Sequence, residues 1–262
     1  MERLSIIKVG GKVVEEKDSL DKLLSNFSKI GGNKILVHGG GRSATAIAAK
    51  LGIETQMVDG RRITDQAMLE VVIMVYGGLV NKNIVSALQA KDINAIGLTG
   101  ADLNIIEAVK RPVKDIDYGF VGDVVRVNTA ELRLLIESGV VPVIAPLTHD
   151  GKGNLLNTNA DTIASELAIE LSNFFDVNLY YCFEKKGVLL NPDDDNSVIP
   201  ELSYSQFKEL QQSGEISEGM IPKLDNSFQA ISKGVRQVLI TNPDQILMAK
   251  GTRLYVNKWC GF

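Results

Sequence analysis

The chain has 262 residues, 28 Lys and Arg against 32 Asp and Glu, and a net charge of −4, with a pI near 5.4. That balance, with no basic patch interleaved with aromatics, excludes a generic nucleic-acid or membrane-surface binder. Hydrophobic residues at 45% and a mean hydropathy of +0.06 argue against disorder and supply a core for one large α/β domain or two modest lobes.

Leu4, Ile6, Ile7 and Val9 read as a strand buried in a parallel sheet, interrupted by one charge, Lys8. Met1-Glu2-Arg3 leads directly into it, leaving no room for a signal peptide, and no apolar run reaches membrane-spanning length. A cytoplasmic protein is expected. Gly10-Gly11 then bare the backbone where the strand ends, so Lys8 and the glycines together suggest a phosphate site. A helix follows with Leu20, Leu23, Leu24, Phe27 and Ile30 inward, Asp18 or Ser19 as its cap and Gly31 as its stop. Lys34-Ile35-Leu36-Val37 is the next strand. It ends in His38-Gly39-Gly40-Gly41, and a helix runs from Ser43 to Gly52. This βαβα opening predicts a parallel sheet.

Thr64 and Asp65 cap a long apolar helix to about Lys91, broken by Gly77-Gly78, whose surplus hydrophobic surface calls for the middle of the fold or a subunit interface. Ile93 to Leu98, Ile105 to Val109, Phe120 to Val127 and Val140 to Leu147 read as strands, with a helix capped at Thr129 and ended by Gly139. Asp150-Gly151 makes a hairpin that returns to Asn157, and a helix spans Thr162 to Leu171. Val177 to Phe183, Val188 to Leu190, Val238 to Thr241 and Leu254 to Val256 are further strands, and Ser203 to Ser213 and the segment from Met220 are helical. Cys182 and Cys260 match no metal or redox spacing, and Asp193-Asp194-Asp195 is a solvated turn; no protein metal site is expected.

Gly39-Gly40-Gly41-Arg42-Ser43, between a strand and a helix, can converge backbone N–H groups on phosphate or carboxylate oxygens. It lacks the Gly-Lys-Ser/Thr of a P-loop. It also fits the relaxed dinucleotide pattern Gly39-x-Gly41-x-x-Ala44, with Asp59 near where a ribose-binding acid belongs, so a nicotinamide-dependent oxidoreductase stands as an alternative. That alternative leaves Lys8 and Lys223 without a task. Lys223 lies in the first turn of a helix, opposing the dipole, which an anionic ligand would explain. Asp161 opens its own helix, where a capping carboxylate is as good a reading as a catalytic one.

Lys8-Val9-Gly10-Gly11, His38-Gly39-Gly40-Gly41, Gly60-x-Arg62-x-Thr64, Asn157-x-Asn159-Ala160-Asp161 and Gly219-Met220-x-x-Lys223 together resemble, in order and spacing, the acetylglutamate kinases of the amino-acid kinase superfamily, over the whole chain. The resemblance implies an α/β three-layer sandwich with a mainly parallel central sheet. Its N-terminal lobe, about 1–173, would bind the N-acylglutamate, and its C-terminal lobe, about 174–262, ATP. Lys8 and Lys223 would neutralise the transferring phosphoryl group and Asp161 would hold both lysines. Gly10, Gly11, Gly40 and Gly41 would supply backbone donors, Arg62 and Asn157 would bind the acylated amino acid, and Gly187, Gly219 and Met220 would line the nucleotide site. Mg²⁺ would ride on the nucleotide.

The family usually has Thr/Ser-Asp-Val where this chain reads Phe183-Glu184-Lys185, so Glu184 is expected to stand in for the aspartate. Arginine-inhibited relatives carry an extra N-terminal helix; here strand one begins within a few residues of Met1, so a homodimer without arginine inhibition is expected. Arg61, beside Arg62, stands where many members have leucine and fits a dicarboxylic acyl group such as succinyl as well as a solvated loop. A nucleotide-sensing module without catalysis is the remaining alternative.

Overall fold

The computed structural model describes residues 1–58, 61–191, 193–216 and 220–256. The first third gives β1 (Arg3–Val9), α1 (Gly11–Glu15), α2 (Lys17–Lys29), β2 (Asn33–His38), α3 (Gly41–Lys50), β3 (Met57–Val58), β4 (Arg61–Arg62) and α4 (Gln66–Val72). The middle adds α5 (Asn81–Gln89), β5 (Ala95–Leu98), β6 (Ile106–Lys110), β7 (Gly122–Val127), α6 (Thr129–Glu137), β8 (Val141–Ile144), β9 (Leu147–His149), β10 (Leu155–Asn157) and α7 (Ala160–Leu171). β11 (Asp176–Cys182), β12 (Glu201–Ser203), α8 (Tyr204–Gln212), α9 (Ile221–Ser232), β13 (Gln237–Thr241) and β14 (Thr252–Tyr255) complete it.

Eight strands form one sheet in the order β12-β14-β13-β11-β1-β2-β8-β5, parallel except where β13 meets β14. β1 lies inside it, paired with β2 and with β11, so the sheet crosses the expected lobe boundary near Asn173 without interruption. Side chains alternate along β1: Leu4 and Ile6 join the core beneath α6, α7, α8 and α9, while Ile7 and Val9 join the core beneath α1 to α5. The result is a three-layer α/β sandwich. The same alternation sends Lys8 to the side of α7 and α9. A smaller sheet, β10-β9-β6-β7, stands beside the main one.

Local physics moved several boundaries. The helix expected to start at Asp18 or Ser19 begins at Lys17, with Glu16 as its N-cap and Asp18 already in its first turn. It ends at Lys29 with Ile30 as its C-cap, and Gly32 rather than Gly31 takes the left-handed conformation, with φ of 76°. Val140 to Leu147 is not one strand; it divides at Ala145-Pro146, where proline has no N–H to continue a ladder. Val188 to Leu190 forms only a single bridge, Leu189 to Val198, whereas β12 had no sequence signal.

Gly77-Gly78 does not break the long helix. Residues Ile73–Val80 widen into a π-helical stretch, which keeps the backbone bonded and joins α4 to α5 in one 24-residue run, Gln66–Gln89. By length and a hydropathy of 1.5 that run could span a bilayer, contrary to the reading of the sequence. In the fold it instead buries Met68, Leu69, Val71, Val72, Val75, Ile84 and Leu88 against the sheet.

Candidate active site

Lys8, Asp161 and Lys223 come from three elements and meet at the carboxyl end of β1. Lys8 Nζ lies 2.7 Å from Asp161 Oδ1, and Lys223 Nζ lies 3.1 Å from Oδ2. Lys8 and Asp161 are each only 8% exposed. Asn159 caps α7 by accepting from the N–H groups of Asp161 and Thr162, and the Tyr181 hydroxyl donates to the Asp161 carbonyl. The carboxylate is therefore fixed in position. Burial pushes its pKa up, but Lys8 and Lys223 outweigh that and hold it at about 2. Two cations facing one anion leave the cluster with net positive charge.

On one side of the cluster a cavity of about 210 Å³ is lined by Lys8, Gly39, Gly40, Gly41, Arg61, Arg62, Tyr76, Arg111, Asn157 and Asp161, among others. Arg62 is 8% exposed. It donates to the Gly41 carbonyl at 2.7 Å, to Thr45 Oγ1 at 2.9 Å and to Thr55 Oγ1 at 3.3 Å. All of these acceptors are neutral, and no described carboxylate pairs with it. A buried guanidinium held by neutral groups alone is a site for an anion. Asn157 donates to Thr64 Oγ1 at 3.0 Å, which ties β10 to the segment after β4. Tyr76, from the π-helical stretch, packs on Gly40: a Cβ there would stand 3.0 Å from its ring. Behind the glycine turn His38 is fully buried. Its Nδ1 lies 2.7 Å from the Gly39 carbonyl, and Asn81 Nδ2 lies 3.1 Å from its Nε2. Burial lowers the imidazole to about pKa 4, so it is neutral and carries its proton on Nδ1.

On the other side a larger cavity, about 400 Å³, is lined by the polar Lys8, Lys12, Arg42, Lys185 and Lys223, by Gly10, and by the apolar Phe183, Val188, Leu189, Ile216 and Met220. Glu184 and Gly187 also line it, and a Cβ on Gly187 would meet Thr252 Oγ1 at 2.6 Å. Gly10 is not a free donor as expected: its N–H bonds the Cys182 carbonyl at 2.8 Å, closing the β1–β11 ladder. Gly11 opens α1. Gly219, and with it Gly60 and Asp59, lies outside the described residues.

Two lining residues escaped the sequence. Arg111, after β6, is positioned by Asp123 across the β6–β7 pair, with Nε 3.1 Å from Oδ1, yet its buried Nη1 has no partner among the described residues. Tyr76 was hidden in an apolar run. Only a lone hydroxyl in that run could have flagged it.

The amino acid kinase family model matches residues 3–242. The chain is 65% identical to a protein named acetylglutamate kinase from Phocaeicola vulgatus, over 96% of this chain and 98% of that one. It is 63% identical to one of the same name from Bacteroides thetaiotaomicron, over 97% and 98%. Among solved structures, smu.665 from Streptococcus mutans UA159 superposes with a TM-score of 0.81 at 26% identity, covering 96% of this chain and 98% of that one. The dinucleotide alternative finds no support: the glycine turn faces a small cavity rich in arginine.

Proposed function

This chain belongs to the amino acid kinase family, among its acetylglutamate kinases, and we propose that it uses ATP to phosphorylate the γ-carboxylate of N-acetyl-L-glutamate, a step of arginine biosynthesis. The observation that carries the reading is the Lys8–Asp161–Lys223 cluster standing between two cavities of different character. The smaller cavity takes the acylated amino acid, its α-carboxylate on Arg62 and its γ-carboxylate toward Lys8. Asn157, Gly40 and Gly41 complete its wall. The larger one takes ATP, the phosphates toward Lys8 and Lys223, the nucleoside toward Gly187, Glu184 and Met220.

The chemistry asks little of the protein beyond charge and alignment. A γ-carboxylate oxygen, ionised at neutral pH, attacks the terminal phosphorus. An O–P bond forms, the bridging P–O bond breaks, and ADP leaves with the electron pair. No proton moves, so no general base is needed. Lys8 and Lys223 stabilise the charge that builds on the phosphoryl oxygens, and Asp161 keeps the two ammonium groups aimed. Among the described residues no cluster of three His, Cys, Asp or Glu could hold a metal. Mg²⁺ would enter as part of the MgATP substrate and offset phosphate charge there. The test is ADP release coupled to hydroxylamine trapping: release that depends on N-acetylglutamate and yields an equal amount of hydroxamate supports the reading. ADP release without hydroxamate, or none, overturns it.

Arg61 and Arg111 favour a finer reading. Both line the smaller cavity and the basic recess beside it, which also holds Lys114. Asp115 and Asp123 line the recess too, and Asp123 pairs with Arg111, but N-acetylglutamate offers no third carboxylate to Arg61 or to the Nη1 of Arg111, which has no partner among the described residues. A dicarboxylic acyl group such as succinyl would meet both. N-succinylglutamate should then exceed N-acetylglutamate about tenfold in kcat/KM, and Arg61→Leu should erase the preference. A wild type that prefers acetyl ends this reading.

We also infer a homodimer. Met74 and Leu79, on the long helix, are 54% and 50% exposed, and Ile96 lies on β5, the open edge of the main sheet. A second copy would cover this face. Light scattering should give twice the chain mass, and Met74→Glu with Leu79→Glu should halve it; a monomeric wild type contradicts the inference.

A further inference from the structure

Arg42 is a cation with no task in the scheme above. It lines the larger cavity together with Lys8, Gly10, Lys12 and Lys223. Its backbone is fixed, because the Glu15 carboxylate accepts the neighbouring Ser43 N–H at 2.9 Å and so caps the start of α3. Its side chain is not. The guanidinium touches Glu15 only through Nε, at 3.9 Å, is 67% exposed, and makes no hydrogen bond among the described residues. Glu15 is itself partly buried, and that burial raises its pKa against the lowering by Ser43 and Arg42.

A carboxylate at this place would repel a polyphosphate unless a cation stood between them. The Lys8–Asp161–Lys223 cluster carries a net charge of only about +1 (two cations, one anion) against a triphosphate with several negative charges. An arginine fork that lines the cavity, holds Glu15 only at 3.9 Å and makes no hydrogen bond among the described residues matches what phosphate oxygens require. Resting on the proposed ATP reading, we infer that Arg42 is a nucleotide-binding residue that leaves Glu15 to pair with the β- and γ-phosphates.

The test measures ADP affinity by calorimetry, and ATP and N-acylglutamate kinetics, for wild type, Arg42→Ala, Arg42→Lys and Glu15→Gln. Arg42→Ala should weaken ADP binding and raise KM for ATP about tenfold or more. KM for the N-acylglutamate and the thermal midpoint should not change. Arg42→Lys should recover part of the loss, since it restores charge without the fork, and Glu15→Gln should not weaken nucleotide binding. Unchanged ADP affinity in Arg42→Ala would overturn the inference and make Arg42 a surface partner of Glu15. A wild type that binds ADP through Arg42 yet releases none with N-acetylglutamate would sink the proposed reaction while sustaining this contact.

Discussion

The two cavities that meet at Lys8 are held open by different means. In the smaller one the side chains hold one another: Arg62 is fastened to Gly41, Thr45 and Thr55, Asn157 to Thr64, and Thr148 to Thr158 behind them. The larger one is walled by Phe183, Val188, Leu189, Ile216 and Met220, and its cations Lys12, Arg42 and Lys185 are each more than two-fifths exposed. The difference fits the tasks proposed for them. A pocket that must select one acylated amino acid gains from side chains ordered before binding. A pocket for a common nucleotide can leave its cations in exposed ion pairs, Lys12 with Glu16, Arg42 with Glu15 and Lys185 with Asp195, until the phosphates recruit them.

The comparison breaks most visibly at its shared wall. Lys8→Ala and Lys223→Ala should each lower kcat on the order of 10²–10³-fold with smaller changes in either KM, because the missing charge matters most in the transition state. Steady-state kinetics with both substrates varied decides it; wild-type kcat in either variant would make that lysine structural.

Arg62→Lys should then separate the two sides. It keeps the charge and loses the fork, so KM for the N-acylglutamate should rise about tenfold or more while KM for ATP stays put. An equal rise in both would mean the cavities are not independent.

Asp161→Asn sharpens the picture through stability. With the folded carboxylate held at about pKa 2, below its unfolded value, its contribution is complete above that unfolded value and fades as pH falls toward 2. The expected loss at pH 7 is about 2–3 kcal/mol. Urea titrations should show the gap between wild type and variant narrowing as the pH drops from 5 to 3; a constant gap would deny the ion-pair origin.

The last test concerns the support behind the glycine turn. His38 is neutral in the fold and titrates near 4, below its unfolded value of about 6.5. The unfolded chain therefore takes up the proton first, and stability should fall by up to about 1.4 kcal/mol per pH unit between 6.5 and 4. His38→Gln should lose that share of the slope in urea unfolding, and an unchanged slope would contradict the buried neutral imidazole.

The cluster was legible in the sequence because two of its members violate local expectation: Lys8 is a charge in a buried strand, and Lys223 opposes a helix dipole. The central sheet was legible for the same physical reason, since long apolar runs ended by glycine have few other uses. Arg62 and Asn157 emerged only through resemblance, as nothing local marks an arginine in a two-residue strand. Arg111 depends on an antiparallel partner twelve residues on, Asp123, and on a recess made by other segments. Gly77-Gly78 misled because packing overrode propensity and turned an expected break into a π-helical stretch.

A crystal structure of the ternary complex with a non-hydrolysable ATP analogue and N-acetylglutamate tests the arrangement most directly. The account predicts the terminal phosphate within about 3 Å of both Lys8 Nζ and Lys223 Nζ, the adenine toward Val188 and Met220, and the substrate α-carboxylate on Arg62. A nucleotide seated in the arginine-lined cavity, or a terminal phosphate that touches neither lysine, would contradict it.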